Sequence, residues 1–310
     1  MEDTEKEKKD DLINSEGKED NSPNKKITLI IIACFIFSVA LVILAIIIYL
    51  AKDKSLAELE VYTKYDKIEE IKIGGIGKVY KATDKKTNET FSIREIKLNT
   101  KEIREDVQND IKFMNASTHA SKRTFQLKEV FEQRSTKFIV TEYYDEDLSI
   151  TLDKTEKGFD IDRIKKIMNQ INISLQNFRK LNVVYNNMLL ENIIVQKHGE
   201  NYTYKLSNFS KSILITNNKN ETEKEDEWGI KPVLGNINEK KKDLYDIGKE
   251  IYRMIFKEQG KKDDEMIKNI KEKCNDTELN DLMEKLLVEK DEDRISWEEY
   301  FNHTFFVSEL

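Results

Sequence analysis

The chain is poor in the residues that build cross-linked or metal-held folds. Its 310 residues include two Cys, two Pro and three His. Cys34 lies in an apolar run and Cys274 stands alone in the remaining sequence, so no disulfide can form within a folded domain. The His residues are scattered, which excludes a zinc cluster and gives no support to a Ser/His/Asp triad. The fold must therefore rest on its hydrophobic core.

Positive charge is also in deficit. The 52 Lys and Arg face 59 Asp and Glu, which gives a net charge of −7. A broad nucleic-acid-binding surface needs a basic field, so nucleic acid is not an expected partner. A hydrophobic content of 38% is enough for one or two packed lobes, and 36% charged residues indicate a well-solvated surface.

One long stretch lacks charge altogether. Residues 27–50 form a run of 24 uncharged residues, and a helix of this length crosses a hydrocarbon core of about 30 Å. The run is longer than the apolar part of a signal peptide, and an acidic tail of 26 residues precedes it. We predict a single membrane-spanning helix, and hence a single-pass membrane location.

The side of the membrane that the remaining chain occupies stays open. Lys residues flank both ends of the run equally, so the positive-inside rule does not decide. Eight Asn-x-Ser/Thr sequons favour the lumen or the exterior, whereas the lack of disulfides favours the cytosol. The sequons begin at Asn88, Asn115, Asn172, Asn201, Asn208, Asn220, Asn275 and Asn302.

The composition divides the chain into four parts. We expect a disordered acidic tail over 1–26, the membrane helix over 27–50, a short helical stalk over 51–64 and a folded domain over 65–310. Strand patterns begin at Tyr65, and helical periodicity dominates beyond Asp147. One long helix is predicted over 161–181, with a single apolar face that consists of Ile164, Ile167, Met168, Ile171, Leu175 and Phe178.

Four motifs follow one another along the folded part. A glycine-rich frame covers residues 72–79, and the sequence Phe91-Ser92-Ile93-Arg94 follows, with Arg94 standing 17 residues after Gly77. The third motif is Val184-Tyr185-Asn186-Asn187-Met188-Leu189-Leu190-Glu191-Asn192. The fourth is Asn208-Phe209-Ser210.

The order and spacing of these motifs resemble the eukaryotic protein kinase superfamily, in its Ser/Thr kinase-like form. The resemblance covers about four-fifths of the chain, and its strength lies in the joint order of weak single motifs. It implies an α+β, bilobal fold, with a small β-rich N-lobe over 65–143 and a larger helical C-lobe over 144–310, preceded by the transmembrane helix.

The resemblance also implies a nucleotide-binding cleft between the lobes. By comparison with the family, ATP would contact Ile73, Gly74, Gly75, Gly77, Val79, Ser92, Arg94, Glu142 and Ile194. Arg94 would pair with Asp110 of the N-lobe helix, as a structural ion pair or beside phosphate. Thr141 falls at the gatekeeper position, where a small side chain would leave the rear of the adenine pocket open.

The residues that perform kinase chemistry are largely replaced. Asn187 stands where the family has its catalytic Asp, and an amide cannot act as a base at neutral pH. Asn208 stands where the family has its metal-binding Asp, while Asn192 is kept. An amide oxygen is a poor ligand for a hard cation, so the resemblance implies weak or absent Mg²⁺ binding and no intact catalytic residue.

Outside the active site, the resemblance implies a retained skeleton. Met114, Leu127, Tyr185 and Phe209 would form the apolar column that joins the lobes, anchored by Asp243. No Ala-Pro-Glu motif is evident in the activation segment, so the family's partner for Arg294 is missing.

Three hypotheses of function stay open at this point. The first is a membrane-anchored pseudokinase that recruits or regulates a protein partner, with or without nucleotide. The second is an atypical active Ser/Thr kinase that uses rerouted carboxylates such as Asp145, Glu146 or Glu191. The third is a lumenal module that recognises a ligand in the former cleft.

Overall fold

The computed structural model describes residues 23–57, 60–73, 77–120 and 124–307. The chain divides into two compact units, residues 1–59 and 60–310. In the first, helix α1 covers Pro23–Ala57. Its segment Ile30–Tyr49 has a mean hydropathy of 3.3 and exposed side chains, so by length and composition it could cross a membrane. The predicted disordered tail lies outside the described residues up to position 22.

The predicted stalk over 51–64 does not exist as a separate element. Residues 51–57 continue α1, and residues 58 and 59 lie outside the described residues. Helix α2, Glu60–Lys64, belongs to the second unit, where Val61 is completely buried. The Tyr62 ring contacts Phe138 edge to face at 5.9 Å. The folded domain therefore begins five residues earlier than the strand pattern indicates.

The N-lobe is an antiparallel five-stranded sheet with the order β1-β2-β3-β5-β4. One helix, α3, packs beside it and covers Lys101–Ala120. The strands are β1 Tyr65–Ile73, β2 Lys78–Asp84, β3 Thr90–Lys97, β4 Leu127–Gln133 and β5 Thr136–Glu142.

The C-lobe is mainly helical, with two small three-stranded sheets near its border with the N-lobe. Its strands are β6 Glu146–Asp147, β7 Val183–Val184, β8 Ile193–His198, β9 Asn201–Leu206, β10 Ile213–Thr216 and β11 Val233–Leu234. Its helices are α4 Leu148–Asp153, α5 Ile161–Lys180, α6 Lys242–Phe256, α7 Asp263–Lys273, α8 Thr277–Leu286, α9 Trp297–Phe301 and α10 Thr304–Val307.

Helix α5 forms the centre of the C-lobe, as its sequence pattern predicts. All six residues of the predicted apolar face are buried. The helix begins where the Asp160 side chain accepts a hydrogen bond from the Arg163 amide at 2.7 Å, which satisfies one of the free amides of the first turn. This buried face packs against the rest of the core, where Phe178 contacts the rings of Tyr185 and Phe209.

Arg294 forms hydrogen bonds and an ion pair although the glutamate that pairs with it in the family is missing. Its guanidinium is buried and donates to the carbonyl oxygens of Val288 at 3.0 Å and Lys241 at 2.9 Å. It also pairs with the carboxylate of Asp291, three residues before it. Backbone carbonyls and one local acid thus compensate a buried charge that would otherwise be costly.

Candidate functional site

Among the described residues, a small cavity lies between the sheet and the C-lobe. It has a volume of about 40 Å³. Pockets for small ligands usually measure about 300–1,000 Å³, whereas about 10–15 Å³ holds one water molecule. This cavity is nearer in size to the space of a few waters than to a typical ligand pocket. Its lining consists of Val79, Ser92, Arg94, Met114, Phe125, Thr141, Tyr144, Ile194, Ser207 and Asn208.

Two aromatic rings form part of the wall of this small cavity. Phe125 is buried and meets the ring of Tyr144 edge to face at 5.8 Å. Burial raises the pKa of the Tyr144 hydroxyl to about 12, opposed by the positive charge of Arg94. The small gatekeeper Thr141 lines the cavity together with both rings.

The hinge backbone also has a partner from within the protein. The amide of Tyr144 donates to the hydroxyl oxygen of Ser92 at 3.3 Å. Ser92 is 1% exposed and lies opposite Thr141 in the β3–β5 ladder. A hydrogen-bonding group that a ligand would need is therefore already engaged by a side chain of the sheet.

The predicted nucleotide-binding residues divide into three groups. Val79, Ser92, Arg94 and Ile194 come together around the cavity. Gly74 and Gly75 lie outside the described residues, as does the side chain of Ile73. Gly77 has a φ of +107°, and a Cβ there would lie 2.4 Å from the carbonyl oxygen of Glu95. Its glycine is thus required by the close approach of β3, whether or not a phosphate binds.

Glu142, a predicted nucleotide-binding residue, is not among the residues that line this cavity. The Lys205 ammonium donates to both oxygens of the Glu142 carboxylate at 2.8 Å. The carboxylate also accepts the Gln196 side-chain amide at 3.0 Å and the Gln126 backbone amide at 2.9 Å. Lys205 and Gln196 belong to strands of the C-lobe, while Gln126 precedes β4. The side chain therefore joins the two lobes at the hinge.

Arg94 and Asp110 form an ion pair between β3 and α3. Asp110 is 2% exposed, and its second oxygen accepts the Phe209 amide at 2.7 Å. This carboxylate thus connects three segments: the sheet, the N-lobe helix and the loop that follows β9. Since Arg94 is engaged in the pair, its charge is partly neutralised before any phosphate could reach it.

The three asparagines at the former catalytic positions are bonded to one another. Asn187 donates to the carbonyl oxygen of Asn208 at 2.8 Å, and Asn192 donates to the carbonyl oxygen of Asn187 at 2.9 Å. The Asn208 amide donates to the Asn192 side-chain oxygen at 3.0 Å. Ser210 donates its hydroxyl to the remaining side-chain oxygen of Asn208 at 2.8 Å. The oxygens that would face a metal thus already accept hydrogen bonds.

Local backbone geometry suits asparagine at position 208 of this network and at position 186 beside it. Asn186 has a φ of +59° and Asn208 a φ of +58°. Asparagine tolerates this left-handed region better than most residues because its short side chain can bond locally. Over the described ranges 23–57, 60–73, 77–120 and 124–307, no three His, Cys, Asp or Glu side chains form a group that could hold a metal ion.

The carboxylates that could replace the missing ones are engaged elsewhere. Glu191 forms a two-pronged pair with Arg253, at 2.6 Å and 2.9 Å. Glu146 pairs with Lys154 and lies 3.3 Å from the ammonium of Lys197. Asp145 accepts the backbone amide of Lys197 at 2.7 Å. None of these contacts directs a carboxylate towards the asparagine network.

Three residues of the predicted apolar column are buried, and the fourth, Leu127, is partly buried against the same core. Tyr185 and Phe209 meet edge to face at 5.8 Å, and both are 1% exposed, as is Met114. At the base, the Tyr185 amide donates to the Asp243 carboxylate at 3.1 Å. Burial raises the pKa of Asp243 to about 6, although bonds from backbone amides oppose the shift.

Sequence reasoning missed two aromatic residues that line the cavity. Phe125 and Tyr144 look like ordinary apolar and hinge positions, and only their packing shows that they form part of its wall. Asn109 was also missed, although it neighbours Asp110 and donates to three carbonyl oxygens of residues 209–212. The sequence signal that could have indicated it is the spacing of Asp106, Asn109 and Asp110, which places three polar side chains on one side of α3.

Comparisons with known proteins agree with this architecture. The sequence profile of the protein kinase domain matches residues 65–306. The CTD kinase subunit alpha of Schizosaccharomyces pombe is 27% identical over 138 residues, which cover 44% of this chain and 23% of that protein. The serine/threonine-protein kinase SULU of Caenorhabditis elegans is 26% identical over 171 residues, or 53% of this chain and 17% of that protein.

The chain thus spans less than a quarter of the length of these two relatives. The profile match, in contrast, covers most of the chain and coincides with the two-lobed unit, the Arg94–Asp110 pair and the column built on Asp243. The chain belongs to the protein kinase domain family.

Proposed function

We propose that this protein is a membrane-anchored pseudokinase, which acts by binding a protein partner and not by transferring phosphate. The observation that carries the proposal is the closed network of Asn187, Asn192 and Asn208, in which amides bond to one another where phosphoryl transfer needs carboxylates. The small volume of the cavity at the predicted nucleotide site, about 40 Å³, also supports the proposal.

Two physical requirements of the reaction are unmet in this network. An amide at position 187 cannot accept the proton of an attacking hydroxyl near neutral pH. An amide at position 208 supplies no negative charge for Mg²⁺, and its oxygen already accepts a hydrogen bond from Ser210. Each substitution alone slows transfer, and both act in the same direction.

The retained packing supports a binding role. The buried column of Met114, Tyr185 and Phe209 and its anchor Asp243 keep the two lobes in a defined arrangement. A rigid fold offers a preorganised surface to a partner, which lowers the entropic cost of association. Residues 30–49 would hold this surface at a membrane.

Thermal unfolding of the full chain, purified in detergent, tests the proposal. A ligand that binds only the folded state raises the melting temperature, so we expect no shift with 1 mM ATP, on the order of physiological levels, either with or without Mg²⁺. A shift that requires Mg²⁺, together with phosphate transfer abolished by Arg94→Ala, would instead establish the atypical Ser/Thr kinase that the names of the relatives suggest.

The side of the membrane is a separate question, for membranes that carry the protein in its native orientation. Protease treatment of sealed vesicles distinguishes a cytosolic domain, which is digested, from a lumenal one, which is protected. A glycosidase-sensitive mass on the protected form would favour the lumenal ligand-binding module, since Asn88, Asn201 and Asn275 are exposed sequon positions.

A further inference from the structure

One face of α3 carries polar side chains that reach a single short segment. Asp106, Asn109 and Asp110 follow the i, i+3, i+4 spacing and therefore lie on the same side of the helix. We call these three residues the clamp face. Their partners lie within residues 209–212, directly after Asn208, and we call these residues the clamped segment.

Six hydrogen bonds connect the two. Asp110 accepts the Phe209 amide at 2.7 Å. Asn109 donates through its side-chain amide to the carbonyl oxygens of Ser210 at 2.8 Å, Ser212 at 3.0 Å and Phe209 at 3.4 Å. Asp106 accepts the Lys211 ammonium with both oxygens, at 2.7 Å and 2.8 Å. Because the amide has only two N–H bonds, the longest of its three contacts is a shared, weaker one.

The opposite side of the clamped segment is also held by the protein. Ser212 donates its hydroxyl to the Tyr185 carbonyl oxygen at 3.1 Å, and Ser210 donates to the Asn208 side chain at 2.8 Å. Ser212 is 2% exposed, so water does not compete for these bonds. In a low-dielectric setting, such bonds are strong and a lost partner is costly.

We infer that the clamp face is a conformational lock, which holds α3 and the clamped segment in one arrangement through protein side chains alone. Asn109 is its central residue, since one amide satisfies carbonyls on both sides of Lys211. The lock needs neither nucleotide nor metal. It goes beyond the proposed function, because an active or an inactive protein could be organised in this way.

Asn109→Asp is the sharpest variant. It preserves the shape of the side chain but replaces the donor with a carboxylate that faces three carbonyl oxygens, between the carboxylates of Asp106 and Asp110. Gln108→Glu is the matched control, because it makes the same amide-to-acid change at an exposed position one residue away. Asn109→Ala removes the donor without adding charge.

Hydrogen exchange of the full chain in detergent, read by mass spectrometry, provides the measurement. We expect exchange of the amides in residues 209–216 to rise about tenfold or more in Asn109→Asp, and to stay within about twofold of wild type in Gln108→Glu. Asn109→Ala should show the same direction of change, and it serves if the aspartate variant fails to fold.

Two results would overturn the inference. One is wild-type exchange in both Asn109 variants, which would mean that apolar packing alone fixes the segment. The other is a fall of about tenfold or more in wild-type exchange on addition of ATP and Mg²⁺, which would mean that a ligand organises it. The proposed function fails by a different readout, namely a Mg²⁺-dependent melting shift with phosphate transfer.

Discussion

Single atoms distinguish Asn187 and Asn208 from the aspartates that the protein kinase family has at these positions. In Asn187 and Asn208 an amide nitrogen stands where a carboxylate would have its second oxygen, and these nitrogens donate at 2.8 Å and 3.0 Å to neighbours that accept. A carboxylate in either place would turn an attraction into a repulsion. The asparagines are therefore not neutral replacements, because the network depends on their N–H groups.

Restoring both carboxylates should restore metal binding at a cost in stability. We expect Asn187→Asp with Asn208→Asp to lower the free energy of unfolding by about 1–3 kcal/mol without metal, because buried acceptors then face carboxylates. Mg²⁺ at several times its Kd should return about 1 kcal/mol or more to this variant and nothing to wild type. Chemical denaturation with and without Mg²⁺ measures both effects.

The matched control for this variant is Asn201→Asp with Asn275→Asp. Both positions are exposed, so the charge of the protein changes equally while the site stays intact. A Mg²⁺ effect of similar size in wild type or in the control would contradict the account of the network given above.

A second prediction at this scale concerns the buried Glu250 on α6. Its carboxylate accepts the Leu190 amide at 3.2 Å and lies 3.4 Å from Arg253, yet burial raises its pKa from 4.5 to about 7. Between these values the folded protein binds more protons here than the unfolded chain. The contribution of this group to stability therefore falls as pH rises through that window.

Glu250→Gln should weaken the pH dependence of stability. The amide oxygen can still accept from Leu190, but no proton is exchanged, so up to about 3 kcal/mol of pH dependence disappears between pH 5 and pH 8. Denaturation curves of both proteins at the two pH values provide the test. Asp243 shifts in the same direction in both and cancels in the comparison; parallel pH profiles would show that Glu250 is ionised in the fold.

Elements differ in how far the sequence predicts them. The apolar face of α5 is buried as predicted, because a spacing of three and four residues defines one side of a helix. The predicted end of the stalk at residue 64 differs from the structure, since Val61 is buried and the Tyr62 ring contacts Phe138, which lies far along the chain. Local pattern contains no information about such contacts.

The same distinction applies to the candidate site. The Asn replacements and the Arg94–Asp110 pair follow from motif spacing, which reflects the backbone path. The position of Phe125 and Tyr144 in the wall of the cavity depends on side-chain directions, which no single-sequence pattern provides. Glu142 is the clearest case, because its partners Gln196 and Lys205 lie more than 50 residues away.

The link between α4 and α5 gives a prediction at the scale of elements. Gly158 passes so close to α6 that a Cβ would lie 1.8 Å from the Ile255 carbonyl oxygen. The next residue, Phe159, donates its amide to the Met254 carbonyl oxygen at 2.7 Å. We expect Gly158→Ala to lower the free energy of unfolding by about 3 kcal/mol or more, since backbone on both sides must move.

Gly199→Ala is the comparison for this substitution. Gly199 has a φ of +64° in the β8–β9 turn, and nothing lies within 4 Å of an added Cβ. Only backbone strain opposes alanine there, so we expect a loss of about 1–2 kcal/mol. Equal losses in the two variants, measured by denaturant unfolding, would show that the contact with α6 is relaxed in solution.

At the scale of the whole molecule, the two units differ in whether their apolar side chains are exposed or buried. The segment Ile30–Tyr49 exposes its large apolar side chains, with Tyr49 69% exposed, whereas the unit from Glu60 onwards buries a continuous core. Water cannot solvate so long an exposed apolar helix at low cost. By length and composition, residues 30–49 could be covered by a bilayer.

The final prediction concerns this covering. We expect the full chain to remain in the membrane pellet after alkaline carbonate extraction, because a helix with a mean hydropathy of 3.3 is held by the hydrocarbon and not by charge. The chain that begins at Glu60 should appear in the supernatant with an unchanged cooperative unfolding transition, since that unit is compact by itself. Extraction of the full chain by salt alone would show that it is held peripherally. In that case residues 30–49 would be covered by protein, and the binding partner would have to be sought on that helix.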